Sequence, residues 1–329
     1  MKEIGGYFGI ELSQYRREYH TGSARYNTFR SALCDLLANS NYSEIYMPYF
    51  NCPDVEEKIR IEFPELVIIN YEVDNNLEPI NSDGSKLDWR LLDQRSLFYY
   101  VNYFGLKSNF IESELDNCLI DNAHSFFSKP VKNNHTIYSA RKFFGVPDGA
   151  YLSTSLKLSD DLDEHDCRNA FSHLLGRQAI NARKYYHKYM ENEKTLAHAN
   201  VRSMSKLSQT ILSSIDYELV RSKRVDNFYY LHSKLEPINL LSDLISDSCH
   251  SLNFSPLSYP LLLKGKGEII RKFLIDNGIY VPSLWRRFIE RDEPRCEFKN
   301  IIHIPIDQRY CLKDMKQVLG VLKSVIKEI

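Results

Sequence analysis

Between Cys118 and Ser153 the chain packs three short apolar runs, 119–121, 136–139 and 150–154, separated by segments rich in Asn, Ser, Pro and Gly. Runs this short with such boundaries are strands of a buried sheet, because a helix needs a longer periodic segment. Their order fixes the position of two side chains. Asp121 closes the first run, and Lys142 sits in the turn between the second and third, in Ser139-Ala-Arg-Lys-Phe-Phe-Gly. An acid and an amine are thereby delivered side by side from neighbouring strand ends.

The rest of the chain builds a sheet around them. Residues 23–40 begin with Ser23, Asn27 and Thr28, then read apolar at helical spacing through Phe29, Ala32, Leu33, Leu36 and Leu37. The first amides of such a helix lack partners and form a natural anion site. Strands are expected at 44–49, 66–71 and 97–103, with a helix over 55–62 that stops before Pro64. Strands alternating with helices specify an α/β sheet whose ligand chemistry lies at the strand carboxyl ends. From Asp160 to about Leu235 the texture is long, charged and helical. Beyond Pro237 it becomes mixed: strands are expected at 258–263, 279–281 and 301–306, and helices at 268–277 and 312–328. The expected division is a large domain over 1–220 and a smaller one over 221–329.

Composition narrows the class. With 329 residues, 43% hydrophobic and 26% charged, the chain has material for a substantial core. A net charge of −1 supplies no global field for nucleic acid or an anionic membrane. No run reaches the length of a membrane span, and the first residues lack the apolar region of a signal peptide. Seven scattered cysteines without a Cys-x-x-Cys pair argue against structural zinc or a disulfide framework and for a reducing, cytoplasmic setting.

A lysine beside an acid is what pyridoxal phosphate requires: the amine forms an imine with the aldehyde, and the carboxylate keeps the pyridine nitrogen protonated. Taken singly, Lys142 is an ordinary turn lysine and Asp121 a turn cap beside Asn122. The ordered set of motifs is more specific. Asp121-Asn-Ala-His124, Ser139-Ala-Arg-Lys142 and Pro147-Asp-Gly-Ala150 resemble the corresponding segments of DegT/StrS-type sugar aminotransferases, fold type I pyridoxal-phosphate enzymes. Further similar segments are Tyr26-Asn-Thr-Phe-Arg-Ser-Ala-Leu33, Ile45-Tyr-Met-Pro-Tyr-Phe-Asn-Cys-Pro-Asp54, Asn102-Tyr-Phe-Gly105, Asn200-Val-Arg-Ser-Met-Ser205 and Ile304-Pro-Ile-Asp-Gln-Arg-Tyr310. Three departures stand out: His124 replaces the family's glutamine, the ring-covering aromatic after Pro48 is displaced or replaced near Cys52, and Phe29 occupies the glycine-rich part of the phosphate turn.

The resemblance implies a fold type I architecture, with a mostly parallel sheet flanked by helices and a smaller C-terminal α/β domain. It implies Lys142 and Asp121 as catalytic residues, with Thr28, Phe29, Arg30, Asn102, His124, Ser139 and Asn200 around pyridoxal phosphate. Trp285 and Arg202 are implied to face the substrate. Arg141, Arg286 and Arg287 are suited to a diphosphate or a donor carboxylate, because planar guanidinium forks fit both. The implied activity is amino transfer from an amino-acid donor, glutamate, to a nucleotide-linked keto sugar in surface-polysaccharide or O-antigen synthesis. The implied assembly is a homodimer, with no metal. The rival readings are a non-catalytic, ligand-binding or regulatory shell of the same fold and a pyridoxal-phosphate enzyme acting on a non-nucleotide substrate.

Overall fold

The computed structural model describes residues 10–13, 17–109, 111, 116–248, 254–285 and 296–328. Its centre is an eight-stranded sheet in the order β1-β8-β7-β6-β5-β2-β3-β4. The strands are β1 (Ala24–Tyr26), β2 (Glu44–Pro48), β3 (Val67–Val73), β4 (Pro79–Ile80), β5 (Ser96–Val101), β6 (Cys118–Asp121), β7 (His135–Ser139) and β8 (Ala150–Ser153). The run β3-β2-β5-β6-β7 is parallel, while β1, β4 and β8 each pair antiparallel with a neighbour. This is the mostly parallel sheet expected from the sequence. Its central strand β5, Ser-Leu-Phe-Tyr-Tyr-Val, is buried along its whole length. A strand covered on both faces reads as such a continuous run.

The strand order places the site. From β2 the chain moves outward to β3, then returns to lay β5 on the other side of β2. In an open parallel sheet the connections diverge at such a reversal and leave a crevice beyond the strand carboxyl ends. The segment after Pro48, the segment after Val101, Asp121 and the Lys142 turn all leave the sheet at that end. Helix α1 (Phe29–Ala38), capped by Thr28, packs on β7 and β8, and α2 (Pro53–Glu62) packs on α1.

A second, two-stranded sheet pairs β9 (Ser258–Leu262) with β10 (Ile301–Pro305), supported by the helices Tyr217–Leu235, Gly267–Asp276 and Leu312–Glu328. The division expected at 220/221 lies within the first turn of the helix that begins at Tyr217. Phe228, Leu231, Ile302 and Ile304 from this second region share one core cluster with Leu97, Leu119 and Ile120 of the main sheet.

Three local expectations fail. Residues 24–26 form β1 rather than helix, because Tyr26 pairs with Ala150 and the helix starts only after the Thr28 cap. The helical texture of 160–235 is broken into Ser172–Ala179, Ala182–Ala197, Lys206–Ser213 and Tyr217–Leu235. Asn181, Ser205 and Asp216 each cap a new start with a side-chain oxygen, which propensity over a long window does not reveal. Residues 279–281 form no strand: Ile279 closes the preceding helix by donating to Leu274 O at 2.8 Å.

Asp148 fastens the lysine turn to the rest of the fold. Fully buried, it accepts from Ser205 N (2.8 Å), Ser205 Oγ (2.7 Å) and Ser208 Oγ (2.5 Å). Replacing one acceptor oxygen by an amide leaves a buried donor facing donors. We expect Asp148→Asn to lower the free energy of unfolding by about 1–3 kcal/mol in a urea titration; an unchanged midpoint would contradict this role.

Candidate active site

Lys142 ends a single 3-10 turn, Ala140–Lys142, that follows β7 directly. The turn is closed by Phe143 N and Phe144 N, which both donate to Ala140 O at 3.0 and 2.9 Å. Phe143 and Phe144 then turn inward, 3% and 6% exposed, into an aromatic cluster with Phe126, Phe127, Tyr138 and Tyr217. Two anchors thus hold the lysine between them. Its own surface lines a cavity of about 520 Å³ with Arg141, His173, Arg177, Tyr189 and Glu193. Lys142 is accessible to that cavity, yet protein crowds the amine. Desolvation therefore lowers its pKa; Arg141 and Arg30 add to the lowering, while Cys52 and Asp121 oppose it. A lysine so placed gains the neutral, nucleophilic form at lower pH than a solvated one.

Asp121 is the last residue of β6 and is 7% exposed. Tyr99 Oη donates to one carboxylate oxygen at 2.6 Å, and Ala123 N donates to the other at 2.8 Å. Burial nonetheless pushes its pKa up to about 6, against the lowering effects of Tyr99, Ala123 and Lys142. The carboxylate is held in place and lacks a full countercharge. Such a group is stabilised by a cation brought to it.

His124 is 5% exposed, with its ring stacked on Trp285 (5.3 Å between centroids, 21°) and on Phe104 (6.2 Å, 18°). Its Nδ1 is buried without a hydrogen-bond partner. Burial, reinforced by Lys142 and His303, lowers its pKa well below the usual range and keeps the ring neutral. Phe104 reaches this stack from a left-handed backbone conformation (φ 58°), which is rare for an aromatic residue.

The other expected residues divide into two groups. Ser139 ends β7 and its hydroxyl caps nothing in the following turn. Arg30 donates to Leu196 O (3.2 Å) and pairs with Asp54 (3.4 Å), leaving its buried Nε without a partner. Both remain available to an anion. By contrast, Thr28 Oγ1 already accepts from Ser31 N at 3.0 Å, and Phe29 packs against the core. Asn102 is consumed by its own turn: Nδ2 donates to Asn122 Oδ1 (2.9 Å) and Oδ1 accepts from Lys107 N (2.9 Å). Asn200 and Arg202 meet the site only through backbone, their carbonyls accepting from Asn27 Nδ2 and Asn27 N. The Arg202 guanidinium turns to Glu164 O and Asp163, and the Asn200 side chain is exposed. Arg141 donates to Pro147 O (3.0 Å) and pairs with Glu193. Arg286 and Arg287 lie outside the described residues.

Several residues were missed. Tyr99 is hidden inside the apolar run of β5, where nothing local points to its bond with Asp121. Phe50, two residues after Pro48, turns into the core and stacks on Tyr103 (5.3 Å), with its ring edge-on to Trp285 (4.6 Å). Cys52 takes the position beyond it, capping α2 and sensing Lys142. His303 on β10 contacts Phe104 (5.0 Å) and shares Nδ1 with Ser258 Oγ (3.2 Å). Burial and Lys142 push its pKa down to about 3. A lone histidine in Ile-Ile-His-Ile-Pro is the signal that was available. Among the described residues no cluster of His, Cys, Asp and Glu is suited to a metal ion.

Comparisons with solved structures agree with this architecture. The chain is similar to PseC of Helicobacter pylori, an aminotransferase involved in the biosynthesis of pseudoaminic acid, at TM-score 0.57 and 13% identity over 93% of this chain and 87% of that one. It is similar to the sugar aminotransferase CalS13 from Micromonospora echinospora at TM-score 0.56 and 13% identity over 92% and 87%. NtdA from Bacillus subtilis, solved with bound cofactor PMP, matches at TM-score 0.54 and 13% identity over 95% and 74%. No family model and no curated protein matches the sequence. The likenesses establish the fold type I architecture.

The Asp121 environment makes a signed prediction about pH. Its folded pKa is raised from 3.8 to about 6, so the native state holds a proton that the unfolded chain releases. Its contribution to stability is therefore greatest at low pH and is lost as pH rises through 4 to 6. In the cofactor-free protein, the stability difference between wild type and Asp121→Asn should move by about 2 kcal/mol in favour of the variant between pH 4.5 and 7. Urea titrations at the two pH values check it, and a pH-independent difference would contradict the burial argument.

Proposed function

We propose that this chain is a pyridoxal-phosphate-dependent aminotransferase. The observation that carries the reading is the placement of Lys142 and the buried Asp121 at the ends of the adjacent parallel strands β7 and β6, near enough for each to influence the other's charge. The residues fit the cofactor. Lys142 lines a cavity of about 520 Å³, and Asp121, which does not line that cavity, is a buried carboxylate at the end of the neighbouring strand, suited to a cationic ring nitrogen. His124 presents an unpartnered nitrogen, while Ser139 and Arg30 keep donor capacity for a phosphate. Two of the similar structures are described as aminotransferases, and a third holds PMP.

When bound, pyridoxal phosphate supplies an aldehyde and an electron-withdrawing ring that stabilises negative charge at the donor's α-carbon. The chain's own residues do the rest. Lys142 Nζ, its pKa lowered by the protein around it, would hold the aldehyde, take the α-proton of the donor and later return a proton to the acceptor carbon. Asp121 holds the ring nitrogen's proton throughout, with Tyr99 and Ala123 N fixing the carboxylate. Phe50, Tyr103 and Trp285 pack against one another beside the His124 ring. Arg141, Arg177 and Arg309 bring guanidinium groups to the cavity that suit an anionic acceptor, and Tyr185, Tyr186 and Tyr189 offer flat apolar surface. We therefore take the acceptor to be a nucleotide-linked keto sugar and the donor to be glutamate, with an amino sugar for surface polysaccharide as product. A homodimer belongs to the same reading, with the exposed Leu175, Ile180, Tyr186 and Met190 as its apolar face. So does a division into a cofactor unit ending near residue 220 and a smaller unit after it.

Incubation with pyridoxal phosphate should give a visible absorption band that borohydride abolishes, leaving a mass label on Lys142. Lys142→Ala should show neither and lose amino transfer by about 10²–10⁴-fold. Wild-type protein that gains no band and no label would overturn the reading in favour of a non-catalytic shell.

A further inference from the structure

The lysine turn leaves one backbone group unexplained by its own geometry. Its internal bonds run from Phe143 N and Phe144 N to Ala140 O, so the carbonyl of Phe143, the residue after Lys142, points away from the turn. That carbonyl accepts from Gln308 Nε2 at 2.9 Å and from Arg224 Nη2 at 3.4 Å. Both donors come from the second region: Arg224 from the helix Tyr217–Leu235, and Gln308 from the segment after β10.

Arg224 is 1% exposed, the largest fully buried side chain among the described residues. Every nitrogen of its guanidinium is used. Nε donates to Gln308 Oε1 (3.0 Å), aligning the amide that bonds Phe143. Nη1 donates to Leu257 O (3.2 Å) and Pro256 O (3.4 Å), and the guanidinium lies 4.5 Å from the centre of the Phe143 ring. The 256–257 segment in turn holds the neighbouring site loop, because Leu257 N donates to His124 O at 3.1 Å. Asn227, one turn further along the helix, donates to Ile306 O and Tyr310 O and fixes the strand of chain that carries Gln308. Burying a cation among carbonyls, with no carboxylate bonded to it, is costly for stability alone. Burial has pushed its pKa down to about 10, so the charge persists at neutral pH. An apolar side chain would fill the same space at lower cost, but could not hold three carbonyls in fixed relation.

We propose that Arg224 and Gln308 are positioning residues for Lys142: together they clamp the Phe143 carbonyl and couple the orientation of the lysine turn and the His124 loop to the second region of the fold. The proposal rests on the reading of Lys142 as the cofactor lysine, but the clamp itself can be measured without cofactor.

The test compares Arg224→Met and Gln308→Leu with Phe228→Leu, a core truncation on the same helix. Hydrogen exchange of the cofactor-free chain reads the turn directly. In the two clamp variants the Phe143 and Phe144 amides should exchange about tenfold faster, the loss of one buried hydrogen bond, while β5 stays protected. Borohydride trapping of pyridoxal phosphate on Lys142 should slow by a similar factor. Phe228→Leu should lower the melting temperature without either change. Unchanged exchange at 143–144 in Gln308→Leu, or the same changes in Phe228→Leu, would overturn the clamp. Should Arg224→Met fail to fold, Gln308→Leu alone decides the matter. Absence of trapping in the wild type would count against the proposed cofactor, and the exchange result would still stand or fall by itself.

Discussion

The site depends on an accessible amine and a buried carboxylate carried on adjacent strand ends. Neither Lys142 nor Asp121 is neutralised by the other. Desolvation is the largest influence on each, and their mutual attraction only moderates it. A close, well-formed salt bridge would have spent this electrostatic potential on itself. The fold prevents that by rigid geometry: Asp121 is tied to Tyr99 and Ala123 N, and Lys142 is carried on a turn pinned by aromatic residues inside and by the Phe143 carbonyl outside. Asp121 is left in a state that favours a cationic partner, and Lys142 in one that favours the neutral amine at lower pH than a solvated lysine.

The surrounding pieces serve the same geometry. Asp148 ties the far side of the lysine turn to Ser205 and Ser208, and Gly149 N donates to Asn27 O at 2.7 Å, drawing the start of α1 toward the turn. Gly105, at φ +79°, permits close approach on the other side: a Cβ there would lie 3.0 Å from His124 O and 3.1 Å from Pro256 Cα. Arg224 completes the ring of contacts by joining Pro256 and Leu257 to Phe143. The two sheets meet at the site through carbonyl oxygens gathered by a few buried donors, and the shared apolar core holds them in register.

Much of this was legible in residue order, because strands announce themselves as short apolar runs and the paired Asp121 and Lys142 fall at their ends. The mostly parallel sheet and the β9–β10 pair followed from the same pattern. Side-chain direction was not legible. Asn102 and Thr28 carry the right chemistry at the right positions, yet each spends it on a local turn or cap, the competition short polar side chains commonly win. Asn200 and Arg202 are brought to α1 by their carbonyls, which no residue-type argument detects. Tyr99, His303 and Arg224 went unnoticed for the opposite reason: polar groups inside apolar segments take their meaning from partners far away in sequence. Arg224 bonds residues 81 and 84 positions distant, beyond what a local pattern contains.

The most direct measurement is a crystal structure of the protein grown with pyridoxal phosphate. The account requires continuous density from Lys142 Nζ into the cofactor, with the ring nitrogen about 2.7–2.9 Å from an Asp121 carboxylate oxygen, as in a charge-assisted hydrogen bond. A free Lys142, or a cofactor whose ring nitrogen faces anything other than Asp121, would contradict it.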